Sequence, residues 1–391
     1  MPDFYTEAQD LFEYTRFLRR DFHRHPELAF QELRTAGVVA RELTALGIEV
    51  HSGIAKTGVV ALLEGAHPGP VVLLRFDIDA LPILEETGAE YASQAPGVMH
   101  ACGHDGHTAI GLTVARLLQN HRQELAGTVK LVFQPAEEGF GGAELMIQEG
   151  VLENPKPDLT LALHLWNHAP VGWLGITTGP TMAAADVLRI RVIGKGGHGA
   201  MPHQAVDPVL ASAHIITALQ SVVARNVAPL QTAVLSITML RAGEAFNVIP
   251  PEVEMQGTIR TFDPAVRELV VQRVHQVVEH TAAGLGCRSE VEIKSITPAV
   301  INEPGLAARV AQVAANSLPD SEIDRHFQTM GSEDMAFMMQ IVPGCYFFVG
   351  SANDAKGLNA SHHHPRFDVD EDALPRAVAL MAAVAFDFLK T

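Results

Sequence analysis

The sequence predicts an α/β fold: an open sheet flanked by helices, with a smaller ferredoxin-like α+β domain inserted into it. Three observations carry that expectation. Short apolar runs alternate with amphipathic stretches through the first 180 or so residues, the order that layered α/β proteins show. Near Ala183 the texture changes to strands that alternate polar and apolar residues, and after about residue 296 it changes back. At 391 residues the chain also exceeds one ordinary core, so two domains are expected. The boundaries read as a discontinuous larger domain, residues 1–182 and 297–391, and an insertion at residues 183–296.

Taken in order, residues 7–20 and 31–46 have helical apolar spacing, with Gly47 as a C-cap. Residues 71–76 (VVLLRF), 128–133 (TVKLVF) and 159–163 (LTLAL) read as buried strands, and residues 105–118 as an amphipathic helix. The insertion follows a β-α-β-β-α-β order: strand 186–193, helix 209–224, strands 233–240 and 252–260, helix 264–285, strand 289–295. A strand at 345–349 and a helix near 371–389 complete the larger domain. Asp77, Asp79, Glu137, Glu138 and His164 all fall just after predicted strands, where open α/β sheets build their sites.

Composition narrows the function. Apolar residues make up 47% and aromatics 6%, which fits a folded α/β protein and excludes a disordered one. The net charge of −17 argues against nucleic acid, whose phosphates need a basic surface. Apolar runs such as residues 71–74 fall far short of the roughly 20 residues that span a membrane. Cys102, Cys287 and Cys345 are too few and too scattered for a disulfide framework. The N-terminus shows no basic segment followed by an apolar one, so a reducing cytoplasm is the expected compartment.

The stretch 98–107, VMHACGHDGH, places one thiol and three imidazoles in ten residues. Thiolate and neutral imidazole are the donors that hold zinc and related ions, and Gly103 lets Cys102 and His104 turn toward one point. Glu137-Glu138 alone would read as a solvated acidic turn. Placed after a strand, the pair can divide its labour, one carboxylate on a metal and the other on a proton. His164 ends an apolar strand, and His362-His363-His364 offers a late histidine. Cys102, His104, Glu138, His164 and one of that triplet are too many donors for one tetrahedral ion, but suit two ions about 3.5–4 Å apart. Asp79 fits a carboxylate that orients a ligand imidazole from behind.

Other chemistries find no support. The glycine-rich loop 194–199 lacks the Gly-Lys-Ser/Thr ending of a phosphate loop. There is no Gly-x-Ser-x-Gly elbow for a serine hydrolase and no His-Glu-x-x-His helix.

Seven motifs in order bring a resemblance into view: Asp77–Pro82, His100–His107, Gln134–Gly139, His164-Leu-Trp, residues 194–203 (GKGGHGAMPH), residues 246–250 (FNVIP) and residues 363–367 (HHPRF). Together they resemble the aminoacylase/carboxypeptidase G-type metallopeptidases, in the amidohydrolase branch of hippurate hydrolases, N-acyl-L-amino acid amidohydrolases and auxin-conjugate hydrolases. The resemblance spans essentially the whole chain. It implies that the larger domain is a metallopeptidase domain binding two divalent ions, Zn²⁺ foremost, with Mn²⁺, Co²⁺ or Ni²⁺ as alternatives. The implied ligands are Cys102, His104, Glu138, His164 and His363, the last chosen because it stands two residues before Pro365. Cys102 would replace the bridging aspartate of the wider family, and Glu137 would be the general base.

The resemblance further implies that the insertion is a dimerisation and substrate-lid domain, in a homodimer or higher homo-oligomer. His198 would reach across the dimer to the scissile carbonyl as an oxyanion-type donor, and Asn247 and Arg260 would bind a substrate carboxylate. Asp77 stands where other branches have a ligand histidine. Neither it nor Ser332 and Glu333 acquires a role from the resemblance. The implied reaction is hydrolysis of N-acyl-L-amino acids to a carboxylic acid and a free amino acid. The same-class alternative is a metallocarboxypeptidase removing C-terminal residues from short peptides. A binding protein without catalysis is disfavoured, since Glu137 and all five ligands are present.

Overall fold

The computed structural model describes residues 2–390. The described chain divides into two compact units: one runs up to Thr181 and adds Ile301–Gln328 and Asp334 onward, the other is Met182–Val300 with Thr329–Glu333.

The larger unit opens with α1 (Phe4–Asp10), α2 (Phe12–Arg24) and α3 (Leu33–Ala45), then β1 (Glu49–Ile54), β2 (Gly58–Glu64) and β3 (His67–Asp77). Next come α4 (His104–Asn120), β4 (Ala126–Gln134), α5 (Gly142–Gln148), β5 (Leu159–Pro170), β6 (Trp173–Gly175) and β7 (Gly179–Met182). The smaller unit follows as β8 (Ala184–Ile193), β9 (Gly197–His198), α6 (Pro208–Asn226), β10 (Ala233–Ala242), β11 (Val248–Ile249), β12 (Glu252–Thr261), α7 (Pro264–Gly284) and β13 (Arg288–Thr297). Finally, β14 (Val300–Asn302), α8 (Pro304–Ser317), β15 (Glu322–Asp324), α9 (Met335–Met339), β16 (Gly344–Ala352) and α10 (Ala373–Leu389) return the chain to the larger unit.

Eight strands form the larger unit's sheet in the order β1-β2-β4-β3-β5-β16-β6-β15. Its centre is parallel, β4 to β3 to β5 to β16. That explains why β3 to β5 read as nearly continuous apolar runs: a parallel sheet is covered on both faces. α10 is buried almost all round, through Ala377, Leu380, Met381 and Val384 among others, as a helix apolar on every side must be. α4 buries most of its length in the same core, including its polar first turn of His104, Asp105 and His107.

In the smaller unit β8, β10, β12 and β13 form an antiparallel sheet ordered β10-β12-β8-β13. Numbered by chain order, that is the 4-1-3-2 arrangement of a ferredoxin-like layer. Leu188, Ile190 and Val192 of β8 pack with Ile215 and Leu219 of α6 and with Val270 and Val274 of α7. The alternate β8 residues Arg189 and Arg191 are exposed, and Arg191 is paired with Glu252 and Glu290. Both helices begin at Asp-Pro: Asp207 caps Val209 N–H at 2.8 Å and Asp263 caps Ala265 N–H at 2.7 Å. The proline that follows lacks an N–H that would otherwise need a partner.

Two expectations are corrected. The stretch 7–20 is not one helix; α1 ends at Asp10 and α2 begins at Phe12. Nor does His164 end its strand, since β5 runs on to Pro170. No described helix is long and apolar enough to cross a membrane.

Candidate metal centre

Gly103, with φ of +94°, precedes α4 and makes the sharp turn that a residue with a Cβ would resist. On either side of it stand half-buried Cys102 and buried His104. His104 Nδ1 lies 3.0 Å from the Asp79 carbonyl oxygen and 3.2 Å from Asp79 Oδ1, both acceptors, so Nδ1 carries the proton and Nε2 the lone pair. That Nε2 is buried and finds no hydrogen-bond partner among the described residues. A buried lone pair left bare in this way is what a metal-ligating imidazole shows.

His164 follows the same logic. Its Nδ1 donates to Leu165 O at 2.7 Å, leaving Nε2 3.4 Å from Cys102 Sγ. Burial, reinforced by the His107 and His362 rings, pushes the His164 pKa well down, so the ring is neutral. On the other side of Cys102, His363 Nε2 is 3.2 Å from Glu138 Oε1, and that buried oxygen accepts no well-formed hydrogen bond among the described residues. His363 is a non-glycine residue at φ +64°, held there by its N–H donating to Ala101 O at 2.8 Å. Backbone strain of this kind persists where the surroundings over-determine it, often at functional sites.

The donor atoms of Cys102, His104 and His164 lie within 4.8 Å of one another, and so do those of Cys102, Glu138 and His363. Cys102 belongs to both groups. A third group of the same radius joins His104 to both Glu137 and Glu138, which puts the Glu137 carboxylate beside the cluster. The electrostatics suit cations. The neighbouring Cys102 and Glu138 raise the His363 pKa to about 10. Burial opposes protonation of His104, yet Asp77 and Cys102 still raise its pKa well above the ordinary value. The negative groups around His104 and His363 favour positive charge there, the potential that holds divalent ions, while His164 stays neutral. The five expected ligands thus converge, and their chemistry fits the group.

Asp79 stands behind them. Its Oδ1 faces His104, and its Oδ2 accepts the Glu138 N–H at 3.1 Å. Asp77, the last residue of β3, serves another purpose. It accepts from Arg75 Nη1 at 2.5 Å and from His107 Nδ1 at 2.6 Å. His107 Nε2 in turn accepts the Leu165 N–H at 2.9 Å. Asp77, His104 and His107 are also close enough to suggest a metal group. With both His107 nitrogens engaged and Asp77 on a guanidinium, that trio is a hydrogen-bonded support and not a third ion site.

His198, Asn247 and Arg260 lie in the smaller unit. His198 is exposed on β9, opposite Val248 of β11, and the carbonyl of Asn247 accepts the Gly199 N–H at 2.8 Å. The structure therefore brings His198 and Asn247 close together. Arg260, half-buried on β12, donates from Nη1 to Ser332 Oγ at 3.2 Å, which gives Ser332 a partner the motif alone did not.

Sequence reasoning missed a buried ionic network beneath the metal loop. Arg19 Nε donates to Asp105 at 2.8 Å and its Nη2 to Asp368 at 2.6 Å, while His23 Nδ1 is 2.7 Å from Asp105. One signal was available: a cation and a histidine four residues apart, on an α2 face that also carries the buried Leu18 and Phe22.

Residues 73–387 match the model of peptidase family M20/M25/M40. An N-acetylcysteine deacetylase of Bacillus subtilis (strain 168) is 41% identical, over 96% of this chain and 96% of that protein. Thermostable carboxypeptidase 1 of Saccharolobus solfataricus is 38% identical, over 95% and 94%. Among solved structures, the Bacillus subtilis YXEP protein, titled a dinuclear metal binding peptidase from the M20 family, superposes with a TM-score of 0.86 at 37% identity, covering 97% of this chain and 99% of that one. The chain belongs to peptidase family M20/M25/M40 and is a metal-dependent hydrolase.

Proposed function

We propose that the protein hydrolyses the amide bond of N-acyl-L-amino acids with two divalent ions per chain, releasing a carboxylic acid and a free amino acid. The observation that carries this reading is the sharing of Cys102 between two three-donor groups, with Glu137 at their edge. One thiolate common to both groups is the arrangement that a pair of ions needs.

Cys102, His104, Glu138, His164 and His363 would hold the ions, and thiolate with imidazole favours zinc over manganese, cobalt or nickel. When bound, such ions supply Lewis acidity and make water acidic enough to be deprotonated near neutral pH. Glu137 takes the proton from the attacking water and returns it to the leaving nitrogen, so it must act as base and then as acid. Asp79 keeps His104 in one tautomer throughout. In the same proposal His198, acting from a second copy of the chain, donates to the developing oxyanion, and Arg260 and Asn247 receive the substrate's carboxylate. The deacetylase relative is named for an N-acyl amino acid, the carboxypeptidase relative for peptides. Removal of C-terminal residues from short peptides is accordingly the second reading.

The test is hydrolysis of a panel of N-acyl-L-amino acids and dipeptides by chelator-stripped protein, before and after adding Zn²⁺ or Mn²⁺, with Glu137→Gln alongside. The expected result is metal-restored amino-acid release that Glu137→Gln lowers by at least about 100-fold. Turnover of dipeptides alone would favour the second reading, and metal binding without turnover on any of them would sink both.

A further inference from the structure

Glu32 precedes α3 and is fully buried, yet none of the chemistry above uses it. Its carboxylate reaches two distant segments. Oε2 accepts the Thr57 hydroxyl at 2.5 Å, and Oε1 accepts the Ala136 N–H at 3.0 Å, across 104 positions of sequence. Ala136 immediately precedes Glu137 and Glu138, and it is a non-glycine residue at φ +56°. Alanine avoids that region because its Cβ crowds the following carbonyl. Three other polar backbone groups of the turn are also tied down. The Ala136 carbonyl accepts from Gly142 N–H at 3.1 Å, the Glu137 carbonyl from Gly139 N–H at 2.5 Å, and the Glu138 N–H goes to Asp79.

Burial raises the Glu32 pKa, with the Thr57 hydrogen bond working against it. Keeping an acid in such surroundings costs stability, which argues that its place is set by what it holds. We propose that Glu32 is a positioning residue: its buried carboxylate fixes Ala136 in the left-handed conformation and so sets Glu138 toward the ions and Glu137 toward the proton it carries. This rests on the reading of those two glutamates given above. A carboxylate displaced by about 1 Å at such a site can lose rate by about 100-fold.

The test compares Glu32→Ala, the milder Glu32→Asp, which retracts the carboxylate by one methylene, and each combined with Ala136→Gly. Two quantities are read: kcat and KM on the best acyl amino acid, and Zn²⁺ affinity of the stripped protein by competition with a chelating dye. Glu32→Asp is expected to lower kcat about 10-fold and Glu32→Ala about 30-fold, with KM within threefold and Zn²⁺ affinity weakened about 10-fold. Ala136→Gly removes the Cβ that makes this conformation costly. It is expected to restore kcat about fivefold in either background, and to change the parent less than twofold.

A general loss of fold would not be repaired by a glycine in the turn. Should Glu32→Ala fail to fold, Glu32→Asp carries the same comparison. Parental kcat and Zn²⁺ affinity in Glu32→Asp, or losses that Ala136→Gly leaves unrepaired, would overturn the proposal. If the parent itself hydrolyses nothing, the enzymatic reading falls, and the Zn²⁺ affinity series alone decides whether Glu32 holds the turn.

Discussion

Asp79 meets His104 twice, once through its carbonyl at 3.0 Å and once through Oδ1 at 3.2 Å. A single residue thereby dictates which imidazole nitrogen is bare. Its remaining oxygen holds the Glu138 backbone. Asp79→Ala removes both side-chain contacts, to His104 and to the Glu138 N–H, while the backbone carbonyl stays, and removal of such a carboxylate partner typically weakens metal affinity about 10–100-fold. The expected outcome is that loss with two Zn²⁺ per chain still bound at saturation, checked by dye competition and by elemental analysis. A drop to one ion would instead make Asp79 a ligand.

The sharing of Cys102 predicts an asymmetry among the ligand variants. Cys102→Ser replaces the one soft donor common to both groups, so both ions are expected to be lost or weakened together. His363→Ala removes a donor from one group only and should leave one ion bound. Elemental analysis after gel filtration separates these outcomes, and one retained ion in Cys102→Ser would contradict the shared role.

His107, the last of the three imidazoles in the stretch 98–107, is engaged at both nitrogens in the structure. His107→Ala should leave the metal stoichiometry at the parent's value. It exposes a buried Leu165 N–H and a buried Asp77 oxygen to no partner, at a cost on the order of 2–4 kcal/mol. Denaturant melts alongside metal analysis provide the check.

The Arg19–His23–Asp105 network gives stability a pH dependence. Burial works against the His23 cation, but Asp105 at 2.7 Å raises its pKa from 6.5 to about 9. A pKa higher in the folded state means that the contribution is complete below pH 6.5 and fades as pH rises through about 9. Its full size is on the order of 3 kcal/mol. The thermal midpoint is therefore expected to fall between pH 7 and roughly pH 9.5, with His23→Gln starting lower and showing a flatter profile. A parallel decline in both proteins would place the pH sensitivity elsewhere.

What the residues disclosed, and what they withheld, follows from distance along the chain. Cys102, His104 and Glu137-Glu138, whose donor atoms the fold brings together, stood out as candidates because their chemistry is packed into a few positions beside strong strand signals. The buried runs of β3, β4 and β5 and the alternation of β8 were legible for a related reason: strand period and burial are local. The break between α1 and α2 was not, since residues 10–12 (DLF) contain neither glycine nor proline. Strands as short as β6 and β15, three residues each, carry too few side chains for any period to show. Asp77 illustrates the harder limit. Its neighbour Arg75 looked like one residue of an apolar strand, and only the fold reveals that the guanidinium and His107 claim the carboxylate. Arg19 and Asp105, 86 positions apart, are equally silent in one dimension.

The burial of α10 has a consequence for how the protein is made. α10, seventeen residues long, is a helix around which the larger unit packs, and β16, which hydrogen-bonds along β5, emerges only shortly before it. Until then the nascent chain carries an uncovered strand edge and an apolar cavity where a helix belongs. The β8–β13 layer is already complete by Thr297. Synthesis therefore finishes the inserted layer before the strand and helix that complete the larger unit's core. A chain stalled before residue 344 would leave the β5 edge without its β16 partner, an open template for aggregation.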